Sequence, residues 1–370
     1  MVSELPHDVK PTGIRERLGE LCYSAGLLSP LQRVRSWWHK DLRILAYHRV
    51  MALPDPDSYD FDLELISATP EGFREQMLLV KERYRPMRLS DVAAAIDAGH
   101  ALPPDTVVIT FDDGYDDNYH IAFPILQELG IPATFFVSTG HIDSGRPYAY
   151  DWLVHMILMT SASRLELPEL GMDMPMPVGR AARRALATSV LDHMKEISAL
   201  AQAGMIRRLE KEWRMPSDAA VPADCRPMTW DQLREMHAAG LEIGSHGVNH
   251  WMLSKLPLDE LEREVRDSRD ALLRELGPMP LLMSYPVGSN RAFDRQVIEV
   301  TRNAGFDVAC SYISGTNPQP AANRYSLYRL AVERYIGKRW FAAMLTMPGL
   351  INHPTPAHLA TPDEAPSCSH

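Results

Sequence analysis

Residues 106–120 read TVVITFDDGYDDNYH. The first six, TVVITF, make an unbroken β-prone run of the kind carried by a strand covered on both faces. Asp112 and Asp113 then fall at the C-terminal end of that strand, and Gly114 supplies a sharp exit. In parallel α/β folds this edge is where ligands bind. Two adjacent carboxylates repel, so a cation, a basic partner or a raised pKa on one acid must offset them. That requirement marks Asp112 and Asp113 as functional candidates. Asp116, Asp117 and Asn118 read instead as a cap and turn before a helix starting near Tyr119.

Outward from this strand a unit repeats: LQELG-IPATFFV, MHAAG-LEIGSH, LLRELG-PMPLLMSYP and TRNAG-FDVACSY. Each helix ends at a glycine (Gly130, Gly240, Gly277 or Gly305), which tolerates the left-handed conformation that closes a helix. Strands alternating with helices imply parallel strands joined by crossovers. A (β/α) barrel and an open doubly wound sheet both satisfy that pattern. Earlier, RILAYHRV (43–50) reads as a strand ending in His48 and Arg49. PEGFREQMLLVKERY (70–84) reads as a helix with Pro70 in its first turn, and LSDVAAAIDAG (89–99) as one capped by Ser90 and stopped by Gly99.

The spacing divides the chain into three parts. Residues 1–41 form an N-terminal helical extension, read as an amphipathic helix docked on the domain, with an interfacial membrane helix as the alternative. Residues 42–349 form the α/β domain, interrupted at about 143–227 by a Met-, Pro- and Ala-rich helical insertion too long for an ordinary loop. Residues 350–370 are Pro-rich and polar, and are expected to be disordered.

Composition excludes some classes. Lys and Arg number 38 against 48 Asp and Glu, for a net charge of −10 over 370 residues. A nucleic-acid binder needs a basic face, so none is expected as partner. Cys22, Cys225, Cys310 and Cys368 form no CxxC pair, which argues against a structural zinc knuckle or disulfide framework. The N-terminal MVSELPHDVKPTGIRERLGE lacks the basic-then-apolar order of a secretory signal, and no apolar run reaches the ~20 residues of a membrane span. A cytoplasmic protein without a transmembrane segment is expected.

Two more strand ends carry chemistry. In LEIGSHGVNH (241–250), three residues separate His246 from His250 in a glycine-containing loop that can fold both imidazoles onto one ion. Two histidines and an aspartate are a common ligand set for a catalytic divalent metal. In MSYPVGSN (283–290), Pro286 and Gly288 fix a turn able to aim a backbone N–H into a site as an oxyanion donor.

FDDG, SHGVNH and YPVG, in this order, resemble the polysaccharide deacetylases, the chitooligosaccharide-deacetylase-like carbohydrate esterases, over about residues 42–335. The resemblance implies a distorted (β/α) barrel of about seven parallel strands. It implies Asp112 as general base, Asp113, His246 and His250 as ligands of a divalent ion, zinc foremost, and the Val287 N–H as part of an oxyanion hole. The implied substrate is a carbohydrate carrying an N-acetyl group. Three departures stand out. Gly247 follows His246 where the family has Ser or Thr. Ser284 stands where an arginine usually tethers the base, leaving Arg291 or Arg329 to substitute. No late leucine–histidine motif follows LYRLAVERY, and His353 lies in the tail, so His48 is the preferred general acid. Trp251, beside His250, is the best-placed tryptophan to stack on a sugar. A sugar-binding pseudoenzyme of the same fold, and a deformylase or amidase acting on a lipid-linked or other small substrate, are the alternatives.

Overall fold

The computed structural model describes residues 13–38, 40–53, 55–217 and 221–351. In chain order the strands are β1 (Arg43–Tyr47), β2 (Arg49–Val50), β3 (Ile66–Ala68), β4 (Arg85–Pro86), β5 (Thr106–Phe111), β6 (Thr134–Val137), β7 (Arg164–Leu167), β8 (Met172–Pro175), β9 (Glu242–Ser245), β10 (Leu282–Ser284), β11 (Val308–Ser314) and β12 (Leu327–Ala331). β1, β12, β11, β10, β9, β6 and β5 follow one another in parallel pairings, and β5 pairs back onto β1. Leu45 of β1 faces Leu330 on one side and Ile109 on the other, so both edges of β1 are used. The ring is therefore a closed seven-stranded (β/α) barrel, and the open sheet is excluded. Closure removes the unpaired edges that an open sheet exposes.

The main helices are α1 (Ile14–Ser24), α2 (Leu28–Trp38), α3 (Pro70–Arg83), α4 (Leu89–Asp97), α5 (Phe123–Leu129), α6 (Thr139–Ser144), α7 (Ala149–Met159), α8 (Arg180–Met194), α9 (Ala199–Glu212), α10 (Trp230–Ala238), α11 (Leu258–Leu276), α12 (Arg295–Asn303) and α13 (Lys338–Thr346). Alternation along β5 positions the site. Val107, Ile109 and Phe111 point to the helix layer and join Phe73, Met77 and Phe135. Val108 points inward with Ile44, Phe136, Leu282 and Cys310. Each such fully buried side chain contributes roughly 1.5–3 kcal/mol by removal from water. The inward parity of Val108 continues through Thr110 to Asp112, which delivers that carboxylate into the barrel mouth.

Several local expectations are corrected. RILAYHRV is two strands, β1 and β2, with His48 between them. Ser90 is not a cap. It lies inside α4, and the Glu242 carboxylate accepts from the Leu89 and Ser90 N–H groups at 2.8 and 3.0 Å. The segment after Asp117 opens as a wide turn over Asn118–Ala122 before α5, without a side-chain cap. Asp117 instead accepts from Arg49 Nε at 2.8 Å and from the Val50 N–H at 3.0 Å, and Asn118 donates to the His48 carbonyl at 2.9 Å. These residues fix the segment that carries His48.

The insertion is not purely helical. Between α7 and α8 it contains an antiparallel hairpin, β7–β8, with Leu165 opposite Met174. Leu165 and Leu167 alternate with exposed Arg164 and Glu166, a two-residue period hidden among helix-forming neighbours. The insertion has its own core, in which Trp152, Ile157, Val190 and Leu209 pack with Tyr59 and Phe61 from the loop before β3.

At the opposite end of the barrel, α1 packs on α13, and α2 is tied to the starts of three strands. Gln32 donates to the Arg83 carbonyl at 2.6 Å, Arg35 grips Asp41 through two bonds of 2.7 and 2.6 Å, and Ser36 donates to Asp105 at 2.6 Å. No helix among the described residues is long and apolar enough to cross a membrane. The tail expected from residue 350 lies outside the described residues from position 352 on, as does His353.

Candidate active site

Five of the sequence-predicted side chains, His48, Asp112, Asp113, His246 and His250, line one cavity of about 250 Å³ at the C-terminal ends of the strands, together with Val287. The backbone there is strained. Asp113 (φ 73), His250 (φ 56) and Val287 (φ 64) are non-glycine residues in the left-handed region. Such positions cost on the order of 1–3 kcal/mol each and persist where surrounding structure over-determines them. Three of them at one mouth point to a site selected for geometry rather than stability.

Asp113 is held by two tyrosines. Tyr148 donates to its carbonyl, and Tyr150 donates to Oδ2 at 2.9 Å. The other oxygen, Oδ1, is buried without a hydrogen bond. Facing it are Nε2 of His250 at 3.2 Å and Nε2 of His246 at 3.6 Å. His246 Nδ1 lies 2.7 Å from the Ser284 carbonyl, which can only accept, so Nδ1 carries the proton and Nε2 presents a lone pair. Burial pushes His246 down to about 4, a drop that the nearby Asp112 carboxylate opposes, so the ring is neutral at neutral pH. Burial opposes ionisation of Asp113, yet the imidazoles of His250, His48 and His246 hold its carboxyl well below the usual range. Ligand atoms of Asp113, His246 and His250 all lie within 4.8 Å of one another. Lone pairs converging on a dry spot with a bare carboxylate oxygen are the donor set of a divalent cation, and these residues fit one.

The loop bearing the histidines is built by α11. Glu264 accepts from the N–H groups of Val248 and Asn249 at 2.8 and 3.0 Å and from the Asn249 side chain. The family departure at Gly247 has a local reason. Its φ is +76, and a Cβ there would sit 3.2 Å from a Glu264 oxygen. Gly288 is more constrained still, because a Cβ would lie 2.5 Å from the Tyr312 nitrogen. That contact seats the YPVG turn against β11 and leaves the Val287 N–H without a protein partner among the described residues.

Asp112 lies inside the mouth, 2% exposed. Of the two arginines left open by sequence, Arg329 is the partner. It donates to Asp112 at 2.8 and 2.6 Å, to the Ser284 hydroxyl at 2.9 Å and to the Ser311 carbonyl at 2.7 Å. The small Ser284 receives the guanidinium where a longer side chain would collide with it. Arg291 is elsewhere, paired on the surface with Glu196. Burial raises the Asp112 carboxyl, but Arg329 and then His246 more than compensate, so it stays ionised.

His48 reaches the same cavity, with its ring 5.4 Å from that of Tyr312. Its own N–H is fixed by the Ser67 hydroxyl at 2.9 Å. Trp251 does not line the cavity and packs with the Tyr285–Phe293 cluster; Trp152 and Trp213 belong to the insertion core. Aromatic walls come instead from Tyr150 and Tyr312, which the sequence did not single out. His155 lies outside the cavity, stacked between Phe61 and Trp152. The insertion reaches over the mouth through Leu191, Met194, Lys195 and Gln202.

Comparison with known proteins agrees with this geometry. The family model "polysaccharide deacetylase" matches residues 99–309, more than half of the chain. Over 100 residues the chain is 32% identical to poly-β-1,6-N-acetyl-D-glucosamine N-deacetylase of Escherichia coli K12, a stretch covering 27% of this chain and 14% of that protein. It is 21% identical over 227 residues to YxkH of Bacillus subtilis, covering 60% of this chain and 49% of that one. The chain thus spans half or less of these curated relatives. Among solved structures, the Streptococcus pyogenes deacetylase PplD in complex with acetate superposes with a TM-score of 0.53 at 20% identity, over 80% of this chain and 94% of that one. IcaB from Ammonifex degensii gives 0.51 at 17%, over 83% and 97%. These two likenesses speak for the fold. Taken with the family match and the motif residues gathered at one barrel mouth, they place this chain in the polysaccharide deacetylase family.

Proposed function

We propose that the protein is a metal-dependent hydrolase that removes an N-acetyl group from an amino sugar of a polysaccharide or its precursor. The observation that carries this reading is the pairing, in one cavity, of the Asp113–His246–His250 donor set with a separate carboxylate, Asp112, clamped by Arg329. A pure binder has no use for a second, ionised carboxylate beside a cation site.

A divalent ion, zinc foremost, held by Asp113, His246 and His250 would polarise the acetamide carbonyl and lower the pKa of water toward ~7. Asp112 accepts the proton of the attacking water. Arg329 keeps that carboxylate ionised and aimed, at some cost in basicity. Val287 lines the cavity, and its N–H would donate to the oxygen on which charge develops. His48, which lines the same cavity, gives a proton to the departing sugar nitrogen, since an amide anion does not leave unaided.

The test is metal analysis alongside acetate release from N-acetylated glucosamine oligomers. Asp113→Ala is expected to lose the metal. Asp112→Asn is expected to keep it and lose turnover by ~10²–10⁴-fold. Wild-type protein that holds metal and releases neither acetate nor formate would favour the sugar-binding alternative, and formate release would favour the deformylase.

A further inference from the structure

We propose that the outward face of α2 is a docking surface for a membrane containing anionic lipid. α2 has two unlike faces. Leu28, Gln32, Arg35 and Ser36 turn inward and are tied to the barrel. Leu27, Leu31, Val34 and Trp37, at spacings of four, three and three, turn outward together and are all exposed, Val34 to 59% and Trp37 to 86%. Leu21 of α1 is exposed as well. Single exposed apolar residues are ordinary, but a row of them on one helix face marks an interaction surface.

Charge selects the occupant. Residues 13–41 carry Arg15, Arg17, Arg33, Arg35 and Lys40 against Glu16, Glu20 and Asp41, the last paired with Arg35, a net positive segment in a chain of net charge −10. Arg17, Arg33 and Lys40 are exposed. Two copies docking through this face would bring like-charged rims together. An anionic lipid surface offers the opposite charge, takes leucine and valine below the headgroups, and suits tryptophan at the headgroup level. α2 lies at the N-terminal ends of the strands and the cavity opens at their C-terminal ends. Docked this way, the mouth faces away from the lipid, and a glycan reaches it from the aqueous side. This surface is independent of the catalytic reading.

The experiment is co-sedimentation of the full chain with vesicles of phosphatidylcholine, alone or with phosphatidylglycerol. Binding to the phosphatidylglycerol vesicles, weakened by salt and poor with phosphatidylcholine alone, is expected. The double variant Val34→Glu/Trp37→Glu should partition at least about tenfold less, with unchanged thermal unfolding. Wild-type protein left in the supernatant, equal binding to both vesicle types, or a double variant that binds like wild type would each overturn the proposal. A wild-type dimer in sedimentation equilibrium that the double variant dissociates, without vesicle binding, would assign the face to a second copy instead.

Discussion

Two arginines, each 1% exposed, sit at opposite ends of the same barrel. At the N-terminal end Arg43 lies between Asp105 at 3.3 Å and Asp41 at 3.6 Å, with Arg35 of α2 also on Asp41. At the C-terminal end Arg329 grips Asp112. A buried Arg–Asp pair alone therefore says little about function. The difference lies in the surroundings. Near Arg43 the acids are shared among basic groups, and the cluster locks a helix to strand starts. Beside Arg329 lies a cavity with an unpaired carboxylate oxygen, neutral imidazole and three left-handed residues. Reactivity follows from lone pairs left without protons at a place substrate can reach.

Mutations can break this contrast. The largest effect is expected from His48→Ala, a fall in kcat of ~10²–10⁴ with metal content unchanged, checked by acetate release and metal analysis. Unchanged turnover would return His48 to a structural role. Arg329→Met leaves Asp112 buried and unpaired, so chemical denaturation should show a loss of ~3–5 kcal/mol, and the folded fraction should lose activity. Arg43→Met should cost less, roughly 1.5–3 kcal/mol, because Asp41 keeps Arg35 and Asp105 is partly exposed, and kcat of the folded protein should not change. Equal loss of kcat in both variants would erase the distinction between the two ends.

Acid should separate the ends as well. His246, held near 4 when folded against an ordinary 6.5, binds its proton more readily in the unfolded chain. Metal-free protein should therefore lose on the order of 3 kcal/mol as pH falls from about 6.5 to 4. At the other end burial raises Asp41, but its bonds to Arg35 prevail and bring it down to about 2. Its contribution is present above the usual carboxylate range and is lost only as pH falls from about 4 toward 2. Melting curves of His246→Gln and Asp41→Asn across these windows check the assignment. The smallest effect is expected from Tyr150→Phe, which frees Asp113 Oδ2 and should weaken metal binding by ~10–100-fold in a chelator competition.

Much of the site was legible because its chemistry is local. TVVITFDDG announces a strand that ends in acids, and SHGVNH and YPVG announce polar loops after strands. Arg329 was one of two candidates, since a partner 217 positions from Asp112 leaves no mark on either neighbourhood. Tyr150, 37 positions from Asp113, carried no signal at all. The β7–β8 hairpin leaves no sign within the helical insertion because its four-residue strands are too short to display a period against helical flanks. Asp117 looked like a cap because caps and buried partners use the same side chain.

The alternation of strands and helices, the acids and histidines at strand ends, and the order of the three motifs are legible in the chain alone. These are matters of local propensity and periodicity. Tertiary contacts settle that the ring closes, which arginine holds Asp112, that tyrosines wall the cavity and that one apolar face of α2 is exposed. Those outcomes depend on which distant groups meet once the barrel brings the strand ends within a few ångströms, and no local pattern encodes such meetings.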